Sequence, residues 1–103
     1  RLDDVIVTGG AKVSGAAVAA AAEQLPEVHQ AVAMGLEDAE WGAVVGIVVV
    51  GSVDTGLLRS AVRSALGAPA VPKVVVELER LPQLPGGKTD RLAVRRLLAA
   101  ARG

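Results

Sequence analysis

The sequence contains no cysteine, tyrosine or phenylalanine, a single histidine, His29, and a single tryptophan, Trp41. Without cysteine the chain can form no disulfide and offers no thiolate as ligand or nucleophile. One histidine cannot by itself complete a zinc site or a nucleophile–base pair. We therefore expect a chain that holds no metal and is catalytically incomplete by itself.

Net charge is also absent, because eleven Lys and Arg residues balance eleven Asp and Glu residues. A neutral chain lacks the summed positive field with which proteins hold nucleic acids or anionic membranes. The longest apolar run, residues 43–50, is far shorter than the roughly 20 residues of a membrane-spanning helix. We expect a soluble, cytoplasmic protein with no nucleic-acid and no membrane partner, and the lack of cysteine fits a reducing compartment.

Alanine, valine and leucine dominate what remains, in a chain of 103 residues that is 51% hydrophobic. This length suits one domain, and this composition predicts a core of small side chains. Periodicity and turn residues predict the following elements in order: a β-hairpin around Gly9 and Gly10, a helix between Ser14 and Pro26, strands over 28–36 and 43–50, a helix after Asp54, a strand over 73–78 and a helix from Asp90. The predicted fold is α+β: a small mixed or antiparallel three-stranded sheet with helices packed on it, plus an N-terminal two-stranded hairpin.

Few residues stand out as candidates for chemistry. The segment Pro85-Gly86-Gly87-Lys88-Thr89 is like the end of a phosphate-binding loop, but a Walker A motif would need glycine where Pro82 stands. Lys88 is then either a mobile point charge offered to an anionic ligand or an ordinary solvated lysine. By residue type alone, the Gly9-Gly10 pair predicts a hairpin turn and Trp41 a buried core anchor.

Three segments, in order and with matching spacing, resemble one family. RLDDVIVTGGAKV, residues 1–13, resembles a hinge motif of the form Gly-Arg-x-Asp-Asp-x-Ile-x-x-Gly-Gly-x-x-Val, without its leading glycine. Residues 38–42 resemble an Asp-x-x-Trp-Gly segment, and residues 81–91 resemble a motif that carries a catalytic lysine. Together these segments make the chain similar to the small C-terminal domain of the adenylate-forming acyl-CoA synthetases, a superfamily that includes peptide-synthetase adenylation domains and luciferases.

The resemblance implies that residues 1–103 are the mobile C-terminal domain of a longer AMP-forming ligase. In such an enzyme a large N-terminal domain, absent from this chain, binds the carboxylic acid and ATP with Mg²⁺. The implied partners are that domain, the acyl-adenylate and CoA, whereas this chain alone is expected to bind no cofactor and to be inactive. The implied roles are a hinge for Asp3, catalysis of adenylation for Lys88, and contact with the pantetheine arm or phosphates of CoA for Gly9, Gly10, Trp41 and Lys73.

Two segments depart from the family pattern. Where the family often has Pro-x-Glu-Val-Glu after the hairpin, this chain is rich in alanine over residues 14–19, and residues 69–73 lack an aromatic and a basic residue that often lie near the CoA nucleotide. The shortened, alanine-rich sequence most resembles o-succinylbenzoate–CoA ligase of menaquinone biosynthesis. Two alternatives stay open: an adenylation domain that loads a carrier protein, and an interaction domain without chemistry.

In the longer enzyme that the resemblance implies, Asp3→Pro should separate the two half-reactions. Proline fixes φ at about −65°, and a hinge acts by changing its backbone dihedrals. If the trapped pose is the adenylating one, adenylation should survive while transfer to CoA slows. Pyrophosphate exchange and acyl-CoA production on one preparation test this, with circular dichroism to check the fold. Wild-type rates in both assays would remove Asp3 from the hinge role.

Overall fold

The computed structural model describes residues 4–103, so the hinge candidate Asp3 lies outside the described residues. Hydrogen bonding and backbone geometry divide that range into short strands and helices with tight connections. A 3₁₀ helix, Ala68–Ala70, lies between the second α-helix and the last strand. The other elements are β1 Val5–Thr8, β2 Ala11–Ser14, α1 Gly15–Glu23, β3 Gln30–Asp38, β4 Gly42–Val50, α2 Thr55–Leu66, β5 Val74–Leu78 and α3 Arg91–Arg102.

The strands form two sheets. Strands β1 and β2 pair antiparallel as a hairpin, and the second sheet has the order β3-β4-β5. In that sheet β3 is antiparallel to β4, whereas β5 is parallel to β4. A parallel neighbour needs a crossover connection, and α2 provides it. The observed fold therefore confirms the predicted α+β domain with a three-stranded sheet and a separate N-terminal hairpin, and of the two sheet types left open, mixed or antiparallel, the sheet is mixed.

Strand β4 lies at the centre of the larger sheet, and every residue from Val44 to Val49 is buried. Its β-branched side chains fit the pleated surface of a sheet. Alternate residues enter different clusters: Val45, Ile47 and Val49 join a cluster with α1 and α2, whereas Val44 and Val48 join a cluster with α3. The sheet is thus covered on both faces, as the uninterrupted apolar run predicts.

Strand β3 has one small-residue face and one bulkier face. Ala31 and Ala33 belong to the cluster that contains α1, whereas Met34 and Leu36 belong to the cluster that contains α3. The small side chains let α1 approach closely, since a Cβ on Gly15 would lie 2.7 Å from the carbonyl oxygen of Ala33. The alanine-rich helix α1 therefore packs closely against the small-residue face of β3.

Helices α2 and α3 bury narrower stripes than their sequence patterns predict. In α2 the buried side chains are Leu58 and Val62, and Leu57, which shares the predicted stripe, is 56% exposed. In α3 they are Val94 and Leu98. Each helix therefore enters its hydrophobic cluster along one row of side chains, formed by two residues four positions apart.

The start of α1 is held by two side chains. Ser14 is the N-cap, and its Oγ accepts a hydrogen bond from Ala17 N–H at 3.1 Å. The carboxylate of Asp4 accepts from Ser14 Oγ at 2.8 Å and from Ala16 N–H at 3.0 Å. Burial acts to raise the pKa of Asp4, but the hydrogen bonds from Ala16 and Ser14 outweigh it and hold that pKa below its ordinary value. Asp4 therefore ties the hairpin to the helix.

Gly51, directly after β4, has φ of 131°, and a Cβ there would overlap the carbonyl oxygen of Glu27. Gly51→Ala should therefore lower the free energy of unfolding by about 2–3 kcal/mol, because the added Cβ brings both backbone strain at this positive φ and overlap with that carbonyl oxygen. Gly86→Ala is the matched control, because a Cβ on Gly86 meets open space. Urea unfolding followed by circular dichroism measures both, and equal midpoints for the two variants would contradict the prediction.

Candidate functional site

Four segments meet around an open cleft of about 600 Å³: the hairpin turn, the turn between β3 and β4, helix α2 and the segment that leads into β5. Three cationic side chains stand beside apolar walls, which suits a ligand with an apolar arm and an anionic end. The lining residues discussed below are Gly9, Trp41, Arg59, Arg63, Pro72 and Lys73. Three of the residues for which the family resemblance implies contact with CoA are thus brought together: Gly9, Trp41 and Lys73.

Trp41 forms one wall of the cleft and is 45% exposed, so the interpretation of Trp41 as a buried core anchor is wrong. Gly9 N–H donates to the carbonyl oxygen of Trp41 at 2.9 Å. A Cβ on Gly9 would lie 2.6 Å from Cε3 of the indole, so the missing side chain makes room for the ring. Gly10, the next residue of the turn, has φ of 85° and open space around it.

The turn between β3 and β4 holds the backbone of Trp41. Oδ2 of Asp38 accepts from Trp41 N–H at 2.7 Å and from Glu40 N–H at 3.1 Å. The pKa of Asp38 lies below its ordinary value, chiefly because Trp41 N–H donates to the carboxylate, with a further contribution from Arg102. Asp38 is therefore ionised at neutral pH and available to fix this turn.

Lys73 and Arg59 form the opposite wall. Lys73 comes directly before β5, and its Nζ lies 5.8 Å from the centroid of the Trp41 ring, within the range of a cation–π interaction. Arg59 of α2 donates from Nε to the carbonyl oxygen of Pro72 at 2.9 Å and from Nη2 to that of Lys73 at 3.4 Å. The guanidinium of Arg59 thus fixes the segment that carries Lys73.

Neither Arg59 nor Arg63 was among the site residues expected from the sequence. Arg63 is exposed and lines the same cleft, one turn beyond Arg59 along α2. Residues four apart lie on the same side of a helix. Their spacing of four residues, beside the buried stripe of α2, is the sequence signal that could have identified them as a pair.

Lys88 lies apart from these residues, on the loop before α3, and is not among the residues that line the cleft. The backbone of this loop is tied at its base: Leu84 N–H donates to the carbonyl oxygen of Lys88, and Asp90 N–H donates to that of Pro82, both at 2.8 Å. The Lys88 side chain is exposed, and Asp90, not Lys88, caps α3. Lys88 is therefore an exposed ammonium on a braced loop and not a P-loop lysine.

The remaining chemistry-bearing groups lie outside the cleft. His29 is exposed, just before β3, and its backbone N–H donates to the carbonyl oxygen of Val50. Within residues 4–103, no three His, Asp or Glu side chains are grouped so that they could hold a metal ion. The helices in this part of the chain are too short or too polar to cross a membrane.

An α+β domain in which a glycine turn and a tryptophan turn meet at an open cleft has the architecture of the C-terminal domains of acyl-CoA synthetases and their adenylate-forming relatives. The chain belongs to that family: the family model described as "AMP-binding enzyme C-terminal domain" matches residues 17–88. A medium/long-chain-fatty-acid–CoA ligase of Mycobacterium tuberculosis is 35% identical over an alignment of 106 positions, which covers 92% of this chain and 19% of that protein.

Solved structures agree with this assignment. An amide bond synthetase from Marinactinospora thermotolerans superposes with a TM-score of 0.87 at 32% identity, over 94% of this chain and 21% of that one. The o-succinylbenzoate CoA synthetase of Bacillus subtilis superposes with a TM-score of 0.80 at 29% identity, over 92% of this chain and 20% of that one. The chain thus spans about a fifth of the length of these relatives.

Gly9→Ala should displace the indole of Trp41, whereas Gly10→Ala should not. Both glycines have positive φ, so each variant should lose about 1–2 kcal/mol through backbone strain. A Cβ meets the ring only at Gly9. Because Trp41 is the sole aromatic residue, its fluorescence emission reports this contact directly. We expect a shifted emission maximum for Gly9→Ala alone, and identical spectra for the two variants would contradict the contact.

Proposed function

We propose that this chain is the mobile C-terminal domain of an ATP-dependent acid–CoA ligase. The whole enzyme would convert a carboxylic acid, ATP and CoA to acyl-CoA, AMP and diphosphate through an acyl-adenylate. The observation that carries this proposal is the meeting of Gly9, Trp41 and Lys73 at one cleft, because the family resemblance implies contact with CoA for each of them. A large N-terminal domain would supply the sites for the acid and for ATP with Mg²⁺.

The chemistry of the cleft suits CoA. Gly9 has no side chain, which leaves room for the indole of Trp41, and the open space at Gly10 would let a narrow pantetheine arm pass close to the backbone of the turn. Trp41 offers that arm a flat apolar face, and Lys73 with the arginines of α2 offers cations to the phosphates at the other end of CoA. These arginines compensate for the basic residue that residues 69–73 lack.

Lys88 would act in the other half-reaction, adenylation. A lysine ammonium placed against the α-phosphate and carboxylate oxygens stabilises the charge that develops as diphosphate leaves. The exposure of Lys88 on a braced loop supports this role, since the side chain is free to enter a site built by another domain. Its separation from the cleft supports a rotation between two poses, with Asp3 as the hinge.

For the acid itself we propose o-succinylbenzoate, which would assign the enzyme to menaquinone biosynthesis in the cytoplasm. The likeness to the Bacillus subtilis o-succinylbenzoate CoA synthetase supports this substrate. The likeness to a mycobacterial fatty-acid–CoA ligase supports a fatty acid instead. Parallel assays of the whole enzyme with both acids decide between them, because the N-terminal domain would select the acid.

In the whole enzyme, Lys88→Ala should lower the rate of adenylation at least about 100-fold, because a charged donor to the transition state is lost. Thioester formation from a supplied acyl-adenylate should remain nearly unchanged, since Lys88 does not line the cleft. Pyrophosphate exchange measures the first step, and acyl-CoA production from synthetic acyl-adenylate measures the second. Equal losses in both assays would make Lys88 a structural residue.

A second experiment with the whole enzyme identifies the acceptor of the acyl group. CoA, a holo-carrier protein and a free amine are offered in parallel. Transfer to CoA supports the proposed ligase. Transfer to the carrier protein alone would make the chain part of a carrier-loading adenylation enzyme, and transfer to the amine alone would match the amide bond synthetase neighbour. A wild-type enzyme that forms no adenylate would favour an interaction domain.

A further inference from the structure

The turn that carries Trp41 is also held from outside by the last turn of α3. Nη1 of Arg102 donates to the carbonyl oxygen of Glu37 at 2.5 Å, and its Nη2 donates to Oδ1 of Asp38. The other carboxylate oxygen of Asp38 accepts from Trp41 N–H at 2.7 Å. An unbroken series of hydrogen bonds therefore connects the guanidinium of Arg102 to the backbone of Trp41.

We propose that Arg102 is a positioning residue for the thioester-forming half-reaction: it orients Asp38, and Asp38 fixes Trp41 in the wall of the cleft. The hydrogen bonds are independent of the proposed function, whereas the expected effect on thioester formation rests on it. Arginine suits the task because its planar fork can donate to a carbonyl and a carboxylate at once, which a lysine ammonium does with less directional control.

The position of Trp41 depends on this support because the core does little to hold it. The residue is 45% exposed, its ring occupies the space that a Cβ on Gly9 would need, and Nζ of Lys73 lies 5.8 Å from the ring centroid. The side chains of Arg102 and Asp38 are 33% and 14% exposed, and partly exposed ion pairs add little to the free energy of unfolding. The expected effect of Arg102 is therefore on the geometry of the cleft more than on stability.

Helix α3 separates Arg102 from Lys88, the residue proposed to act in adenylation. Asp90 caps the start of the helix by accepting from Ala93 N–H at 3.1 Å, and the loop with Lys88 lies just before it. Arg102 is the last of the 12 helical residues, about 18 Å along the axis at 1.5 Å per residue. Removing the guanidinium of Arg102 should therefore leave the Lys88 loop in place.

The first test measures the motion of Trp41 in this chain. Arg102→Met removes the guanidinium and keeps an apolar stem, and Arg96→Met, at an exposed position of the same helix, is the matched control. Because Trp41 is the sole aromatic residue, the decay of its fluorescence anisotropy reports its motion alone. We expect an added fast component in Arg102→Met but not in Arg96→Met. Identical decays in the two variants would overturn the proposal.

The second test measures both half-reactions in the whole enzyme. Arg102→Met should raise KM for CoA about fivefold to tenfold, less than the loss of a direct charged hydrogen bond because Arg102 acts only through Trp41, without changing pyrophosphate exchange. Asp38→Asn should add little to that effect in the double variant, because both residues act through Trp41. Additive effects, or equal losses in both half-reactions, would overturn the proposal.

The two readouts separate this inference from the proposed function. If the wild-type enzyme transferred the acyl group to another acceptor, the assignment to CoA would fail, and that acceptor would replace CoA in the KM measurement. The anisotropy of Trp41 would still decide whether Arg102 positions the tryptophan.

Discussion

The enclosure of β4 is the constraint on which the rest of the structure depends. The strand is paired on both edges, with β3 and β5, and packed on both faces. A polar side chain in such a strand would lose water without gaining a partner, so the strand must be apolar throughout. Among residues 4–103 no polar or charged side chain is buried.

The cleft is built on the first residues of this enclosed strand. Trp41 directly precedes β4, and Val44 and Val45 lie at the base of the cleft. Lys73 N–H donates to the carbonyl oxygen of Val45 at 2.8 Å, which fixes the opposite wall to the same strand. Trp41 and Lys73 are therefore both attached to the enclosed central strand.

Local patterns were enough to predict the fold class, the central strand and the three helix starts at Ser14, Asp54 and Asp90, because each of these depends on neighbours in sequence. The gathering of site residues was expected only through the family resemblance. The residue-type interpretation of Trp41 was wrong because a core of alanine and valine leaves no space for an indole. The bonds from Arg59 and Arg102 to backbone carbonyls join residues 13 and 65 positions apart, and no local pattern marks such a pair.

Helix α3 closes the smaller of the two hydrophobic clusters. The helix contributes two buried side chains to that cluster, Val94 and Leu98. Proteins open first where the fewest apolar contacts hold an element, and the larger cluster under α1 and α2 does not need α3 to remain closed. Helix α3 can therefore open while the larger cluster stays closed. One such event would release the Arg102 support of the Trp41 turn and the start of the helix beside the Lys88 loop together, so a single proteolytic cut in the opened helix would affect both segments at once.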